Sequence, residues 1–207
     1  DEAFMSCLSL IEICNKSALN ITVGSTDCGY VGFVAKNITT NESETYLKYI
    51  GDYVFYDDGS NIYLVEYLGD ETEVTLPEYD GGKKYEIYYG AFVLNTKIIG
   101  ITIPDFVTKI NSMGWFGGGF VGCDSLTSIV LSNSLTTIDD ATFNGCTSLT
   151  SITIPPSVST IGIAAFENCT ALTHIEIPNS VTTIGVSAFR MCTALVNIEI
   201  PNSVTTI

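Results

Sequence analysis

A period of 23 residues organises the C-terminal two-thirds of this 207-residue chain. Leucine, phenylalanine and cysteine each recur at this step, and the three series keep a constant offset from one another. The leucines are Leu126, Leu149, Leu172 and Leu195, the phenylalanines are Phe120, Phe143, Phe166 and Phe189, and the cysteines are Cys123, Cys146, Cys169 and Cys192. Because one such repeat cannot bury a core alone, the pattern predicts a solenoid whose coils pack against their neighbours.

Each coil begins with a stretch in which apolar and polar residues alternate, which is typical of a half-buried strand. The isoleucines predicted to point inward are Ile152, Ile154, Ile175 and Ile177, and the outward positions are Ser151, Thr153, His174 and Glu176. A proline then ends the strand, since it has no N–H for the ladder. We expect the Val-x-x-Ile stretch to return along the opposite side and Ala-Phe-x-x-Cys to close the coil as a short helical turn.

The sequence predicts three parts. Residues 1–45 are rich in Ser, Thr and Asn and form an extra N-terminal β segment. Residues 46–70 resemble a β-hairpin cap, with strand-like runs at 53–56 and 62–68, and we expect Tyr46 and Tyr49 to lie over the first coil. Residues 71–207 form the solenoid, with coils starting near residues 71, 98, 126, 149, 172 and 195. The last coil is incomplete, so we expect further repeats in a longer parent chain.

These coils resemble the BspA-like class of leucine-rich repeats. The shared pattern is L-x-x-I-x-I-P, then S-V-T-x-I-G-x-x-A-F, then x-x-C, and residues 172–194 fit it almost completely. The resemblance covers roughly residues 50–207. It implies a β-rich solenoid of parallel strands with short helical or 3-10 turns, from a secreted or cell-surface protein often involved in adhesion. The family has no shared catalytic residues, so it implies no enzyme.

The seven cysteines divide into two groups. The four periodic ones would form a column with parallel side chains, which opposes disulfides and cannot surround a metal, so we expect buried free thiols. Cys7, Cys14 and Cys28 lie in the N-terminal segment, where one disulfide and one odd thiol would fit a secreted chain. The same segment holds four glycosylation sequons, at Asn15, Asn20, Asn37 and Asn41, for which chance in a Ser/Thr-rich stretch is the alternative explanation.

Charge limits the possible partners. The formal net charge is −15, with only eight Lys and Arg residues. Nucleic acids and anionic membranes are bound through clustered basic side chains, so we expect no nucleic-acid partner. No apolar run approaches the roughly 20 residues that span a bilayer, so we expect no direct membrane insertion.

Two patterns imitate enzyme sites. Residues 117–122 match G-x-G-x-x-G, but they lie in a repeat insertion rather than between a strand and a helix. Ser151, His174 and Glu176 imitate a catalytic triad, but an open strand face supplies no oxyanion hole and no exclusion of water. We therefore predict no catalytic residues, no metal and no cofactor.

The outward strand face is the predicted binding site. Its candidate contacts are Ser128, Ser151, Thr153, His174, Glu176, Asn197 and Glu199, with Trp115 and Phe116 on the insertion loop. Glu176 and Glu199 occupy the same slot of adjacent coils, so their repulsion favours a cation or a basic partner, although solvation alone could satisfy them. We predict an extracellular module that binds a protein or a glycan. The alternative is a structural subunit of a filament or layer that self-associates through the solenoid ends and the N-terminal segment.

Overall fold

A computed structural model describes residues 12–14, 37–39, 46–114 and 117–207 of the chain. Within these ranges every regular element is a β-strand. In chain order the strands are β1 (Glu12–Cys14), β2 (Asn37–Thr39), β3 (Leu47–Ile50), β4 (Tyr53–Asp57), β5 (Ile62–Tyr67), β6 (Glu73–Thr75), β7 (Tyr85–Ile87), β8 (Gly100–Thr102), β9 (Val107–Ile110), β10 (Ser128–Val130), β11 (Thr137–Ile138), β12 (Ser151–Thr153), β13 (Thr160–Ile161), β14 (His174–Glu176) and β15 (Thr183–Ile184).

The predicted hairpin is confirmed and forms part of a five-stranded cap sheet. The strand order is β9-β7-β5-β4-β3, with antiparallel pairing from β3 to β5 and parallel pairing from β5 to β9. Two carboxylates close the hairpin turn, since Gly59 N donates to Asp57 Oδ1 at 2.8 Å and Asn61 N donates to Asp58 Oδ1 at 2.8 Å. The cap sheet therefore changes from a hairpin into the parallel pairing of the coils.

Parallel sheets line two sides of the solenoid. One side carries β6, β8 and β10, followed by the pair β12–β14. The opposite side carries β11, β13 and β15. Partners lie 23 residues apart in the regular coils, as in the pairing of Ser151 with His174 and of Thr160 with Thr183. This constant register keeps equivalent side chains in columns along the molecule.

The solenoid core consists of such columns. Phe92, Phe120, Phe143, Phe166 and Phe189 stack with ring centroids 5.1 to 5.6 Å apart and interplanar angles of 18° or less. The four inward isoleucines of β12, β14 and the residues that follow them are buried, as predicted. Each large apolar side chain fully buried in this way contributes on the order of 1.5–3 kcal/mol.

Among the described residues, the segment that closes each coil contains no regular helix, so of the predicted helical or 3-10 turns the helical form is wrong. The segment is a chain of tight turns, with hydrogen bonds such as Ala165 N to Gly162 O and Cys169 N to Phe166 O. Ala164 and Asn168 have φ values of 54° and 61° inside these turns. A left-handed residue cannot continue a right-handed helix, so the backbone turns sharply at these points instead of winding.

The predicted cover over the first coil is also wrong. Tyr46 packs in a second apolar cluster on the opposite face of the cap sheet, and Tyr49 is 67% exposed. Register explains the position of Tyr49, because it pairs with Val54, whose side chain belongs to that second cluster and not to the solenoid core.

Candidate functional site

The strand face consists of the outward side chains of β6, β8, β10, β12 and β14 and of the equivalent residues Asn197 and Glu199. Two columns run along it. The first column contains Glu73, Gly100, Ser128, Ser151 and His174, and the second contains Thr75, Thr102, Val130, Thr153 and Glu176. The register pairs Ser151 with His174 and Thr153 with Glu176.

The directions of these side chains follow the alternation of the sequence. Ser151, Thr153, His174 and Glu176 are exposed, whereas the isoleucines between them are buried. A surface built on a rigid ladder of parallel strands holds its polar groups at fixed spacing, which suits it to recognition of an extended partner.

A groove of about 620 Å³ lies on the strand face between the last two coils. Residues 174–179 form one wall and residues 197 and 199–202 form the other. Each wall carries one carboxylate, from Glu176 and Glu199, and one Pro-Asn pair that begins two residues after it. The groove therefore combines negative charge with amide groups that can donate and accept hydrogen bonds.

The carboxylates of Glu176 and Glu199 form no ion pair with any residue that the structure describes. Arg190 is the sole Lys or Arg after residue 109 in the sequence. Its guanidinium is held by Glu167, which also accepts a hydrogen bond from Asn144 Nδ2 at 3.3 Å. The two carboxylates of the groove therefore have no Lys or Arg partner among the described residues.

The arrangement gives no support to the catalytic or phosphate-binding patterns. Ser151 and His174 sit side by side on an open, solvent-exposed strand face. Close packing explains two of the glycines in 117–122, since a Cβ on Gly118 would lie 2.5 Å from Thr142 Cα and one on Gly119 would lie 2.6 Å from an Ile110 methyl group. Among residues 46–114 and 117–207, no cluster of three or more His, Cys, Asp or Glu side chains could hold a metal ion.

The periodic cysteines are buried free thiols. Each Sγ donates to the carbonyl oxygen of a phenylalanine in the preceding coil, as from Cys169 to Phe143 at 3.2 Å and from Cys192 to Phe166 at 3.1 Å. Burial raises the pKa of Cys123 and of Cys169 from 9.0 to about 12. These thiols therefore serve the packing of the coils.

Sequence reasoning missed two features of the surface. Val130 lies 60% exposed in the second column, where it adds an apolar contact to a polar face. Threonine hydroxyls also link the coils, as when Thr173 Oγ1 donates to Thr150 O at 3.1 Å and Thr205 Oγ1 donates to Thr182 O at 3.4 Å. The 23-residue recurrence of these threonines in the sequence was a signal that could have revealed these links between the coils.

Several predicted site residues lie outside the described residues. These are Trp115, Phe116, Asn15, Asn20, Asn41, Cys7 and Cys28. Asn37 begins β2 and Cys14 ends β1, but the surroundings of their side chains are not described. Their proposed roles in binding, glycosylation and disulfide formation stay predictions.

The described part of the chain contains no helix long and apolar enough to cross a membrane. A search of curated protein sequences found no match. Residues 117–207 match the family model of the BspA type leucine rich repeat region in six copies.

Three solved structures share the fold. A leucine rich cell surface protein from Faecalibacterium prausnitzii is 29% identical with a TM-score of 0.66, over 92% of this chain and 47% of that one. A leucine rich repeat protein from T. pallidum is 30% identical with a TM-score of 0.60, over 72% of this chain and 66% of that one. The pneumococcal vaccine antigen PcpA is 18% identical with a TM-score of 0.58, over 86% of this chain and 46% of that one.

This chain thus spans about half the length of the first of these proteins and about two-thirds of the second. The matched residues 117–207 carry the columns of leucine, phenylalanine and cysteine that build the core. Residues 117–207 of this chain belong to the BspA-type leucine-rich-repeat family.

Proposed function

We propose that this chain is a non-catalytic binding module of a cell-surface or secreted protein, and that its strand face binds a protein segment rich in Lys or Arg. Leucine-rich-repeat solenoids are typically non-enzymatic and offer an extended surface for partners. One structural relative is described as a cell surface protein, which supports the proposed location. The unpaired carboxylates of the groove carry the proposal.

Charge favours a cationic partner over a neutral one. Glu176 and Glu199 face one groove without a basic neighbour among the described residues. An exposed ion pair contributes only about 0.2–1 kcal/mol, so two carboxylates supply specificity and a faster association rate rather than high affinity. The remaining affinity must come from contacts along the rest of the face.

The groove also fits the shape of a basic side chain. Its walls include Ile200, which is 43% exposed, and the rings of Pro178 and Pro201. Lysine and arginine bury an aliphatic stem on apolar surface while the charged head reaches a carboxylate. Asn179 and Asn202 can hydrogen-bond the backbone of the same segment. A neutral glycan could also donate hydrogen bonds from its hydroxyl groups to these carboxylates. Its binding would depend little on salt, whereas the binding of a cationic segment weakens as salt is raised, so the two partners are distinguishable.

Selection from a random peptide display library tests the proposal. The protein as it stands should enrich peptides that contain Lys or Arg, and raised salt should weaken their binding because it screens exposed charges. The double variant Glu176→Gln/Glu199→Gln should lose this enrichment. Asp70→Asn/Glu71→Gln is the matched control, because it removes two exposed charges from the first coil, outside the groove, and should leave the selection unchanged.

Equal enrichment by both double variants would contradict the role of the strand face. Enrichment of neutral peptides would show that the ligand is not cationic. Binding to a glycan array that is unchanged by the substitution of Glu176 and Glu199 would show that the ligand belongs to another class.

Exposed apolar side chains in the last two coils favour a second candidate, a self-associating structural subunit. Val186, Met191 and Val196 are 61%, 53% and 86% exposed. Light scattering over a concentration series separates the candidates. A constant monomer mass supports the binding module, whereas polymers that grow with concentration support the structural subunit.

A further inference from the structure

Negative charge stands at both ends of the strand face. At one end Glu73 is exposed in the first column, and at the other end Glu176 and Glu199 border the groove. Neither column contains a Lys or Arg residue, and Glu73 forms no ion pair with any residue that the structure describes. A partner that crosses the whole face therefore meets two separate acidic positions with a neutral stretch between them.

Gly100 determines where the first carboxylate lies. A Cβ at Gly100 would collide with Oε2 of Glu73, so the carboxylate of Glu73 occupies the space that a side chain of the next coil would fill. The two residues are partners in neighbouring strands, which explains the contact. The carboxylate therefore lies over β8, three coils before Glu176 on β14.

An exposed apolar side chain lies between the two acidic positions. Val130 is 60% exposed on β10, one coil after Gly100 and two coils before Glu176. The residues at the same position of the neighbouring coils are Thr102 and Thr153, which are polar. Along the solenoid the face therefore offers a carboxylate, an apolar contact and a second acidic position, in that order.

The spacing of these groups matches that of side chains along an extended chain. Neighbouring coils lie about 4.8 Å apart, so three coils separate the two acidic positions by about 14 Å. An extended segment rises about 3.3 Å per residue, and every second side chain lies on the same face. The first, third and fifth side chains of such a segment therefore span about 13 Å and point towards the strand face together.

We propose that the strand face recognises an extended protein segment in which two basic residues flank an apolar one, in the pattern Lys/Arg-x-apolar-x-Lys/Arg. The first basic residue pairs with Glu73, and the apolar residue contacts Val130. The second basic residue enters the groove beside Glu176. This spacing rests on the proposed function, because it presupposes a cationic partner, and it specifies which cationic segments bind best.

Two peptides of equal composition, both with acetylated and amidated ends, test the spacing. The matched peptide is Ser-Lys-Thr-Leu-Thr-Lys-Ser, and the reference peptide, with adjacent lysines, is Ser-Lys-Lys-Thr-Leu-Thr-Ser. Both carry the same charge, so the negative field of the protein as a whole attracts them equally. NMR titration of the protein at low salt should show that the matched peptide binds about two- to fivefold more tightly, which is the gain expected from one additional exposed ion pair.

Variants of the protein identify the contact that selects the spacing. Glu73→Gln should remove the preference for the matched peptide, whereas Glu71→Gln, at an exposed glutamate outside the two columns, should leave it unchanged. Gly100→Ala retains every charge but adds a Cβ where the carboxylate of Glu73 lies, so it should also reduce the preference.

Equal affinities of the unchanged protein for the two peptides would overturn the proposed spacing. The basic partner would still stand in that case if binding weakened with salt and depended on Glu176 and Glu199. A preference that survives Glu73→Gln or Gly100→Ala would also overturn the spacing, because the carboxylate over β8 would not be the first contact. Binding of neither peptide would overturn it as well, and the display selection then decides separately whether any basic segment binds.

Discussion

The coils and the cap sheet fill their interiors in different ways. In the coils, each buried position recurs after 23 residues, so Phe120, Phe143 and Phe166 stack with nearly parallel rings. In the cap, aromatic rings meet at varied angles, such as 86° between Phe55 and Tyr85. The cap also buries Asp57, which accepts hydrogen bonds from Lys48 Nζ at 2.7 Å and from Tyr79 Oη at 2.6 Å.

This difference shows how repetition simplifies a core. Each coil packs against a near copy of itself, so one set of uncharged side chains fills the core of every coil. The stability of the solenoid is then close to a sum of contributions from each coil and from each contact between neighbouring coils. The cap joins a hairpin to the solenoid at a single place, so its packing is not repeated. Its interior contains tyrosines and a buried carboxylate. We therefore expect large packing losses in both regions but acid sensitivity in the cap.

The largest expected effect is the removal of one ring from the phenylalanine column. Phe143 is fully buried and stacks on both neighbours at 5.6 and 5.4 Å. Phe143→Ala should lower the free energy of unfolding by about 3–5 kcal/mol, because it removes apolar contacts and leaves a cavity. Urea denaturation measures the loss. Val130→Ala, at an exposed site, is the control, and a similar loss in both variants would show that the column has no special role.

Thiol reactivity tests how well the coils exclude water. Burial raises the pKa of Cys169 from 9.0 to about 12, which lowers the thiolate fraction near neutral pH about a thousandfold. Alkylation by iodoacetamide, mapped by mass spectrometry, should spare Cys169 in the native protein and modify it in urea. Fast native alkylation at this residue would indicate that the coils open locally.

Acid should reveal the contrast between the two regions. The hydrogen bond from Lys48 lowers the pKa of Asp57 from 3.8 to about 2, and the hydrogen bond from Tyr79 adds to the effect. A folded-state pKa below the unfolded value stabilises the fold above about pH 4, and this stabilisation is lost as the pH falls towards 2. It amounts to about 1–2 kcal/mol once screening around the half-exposed Lys48 is considered.

Asp57→Asn should therefore flatten the dependence of the free energy of unfolding on pH between 4 and 2. The control is Asp80→Asn, since Asp80 pairs with Lys83 on the surface and both side chains are exposed. If Asp80→Asn flattened the profile as much as Asp57→Asn, the acid response would not arise from the buried carboxylate.

The fixed period made the strand face predictable. Once Leu149 and Leu172 were aligned, the pairing of Ser151 with His174 and the outward direction of Glu176 followed from alternation alone. The cap offered no second copy for comparison. The sequence predicts Tyr46 and Tyr49 over the first coil, because it does not reveal that both faces of the cap sheet are buried.

The groove depends on more than the period, because it requires the strand-like residues 197–199 to lie apart from β14 without joining its ladder.

The closing turns were missed for a different reason. Ala141, Ala164 and Ser187 share one slot of the repeat and have φ values of 50°, 54° and 60°. None of these residue types favours the left-handed region, so tertiary packing imposes a conformation that local preference opposes.

The smallest expected effect comes from removing the cost of a left-handed backbone conformation at one site. Met191 has a φ of 61° in the slot where Gly145 has a φ of 77°, and its side chain is 53% exposed. The left-handed conformation costs a residue with a Cβ about 1–2 kcal/mol, and the greater freedom of glycine in the unfolded chain offsets about 0.4–1 kcal/mol of the gain. Met191→Gly should therefore raise the free energy of unfolding by about 0.5 kcal/mol, measured by urea denaturation. Met191→Ala keeps the Cβ and should give no gain. Equal stabilisation by both variants would mean that loss of the exposed methionine, and not relief of the backbone, is responsible.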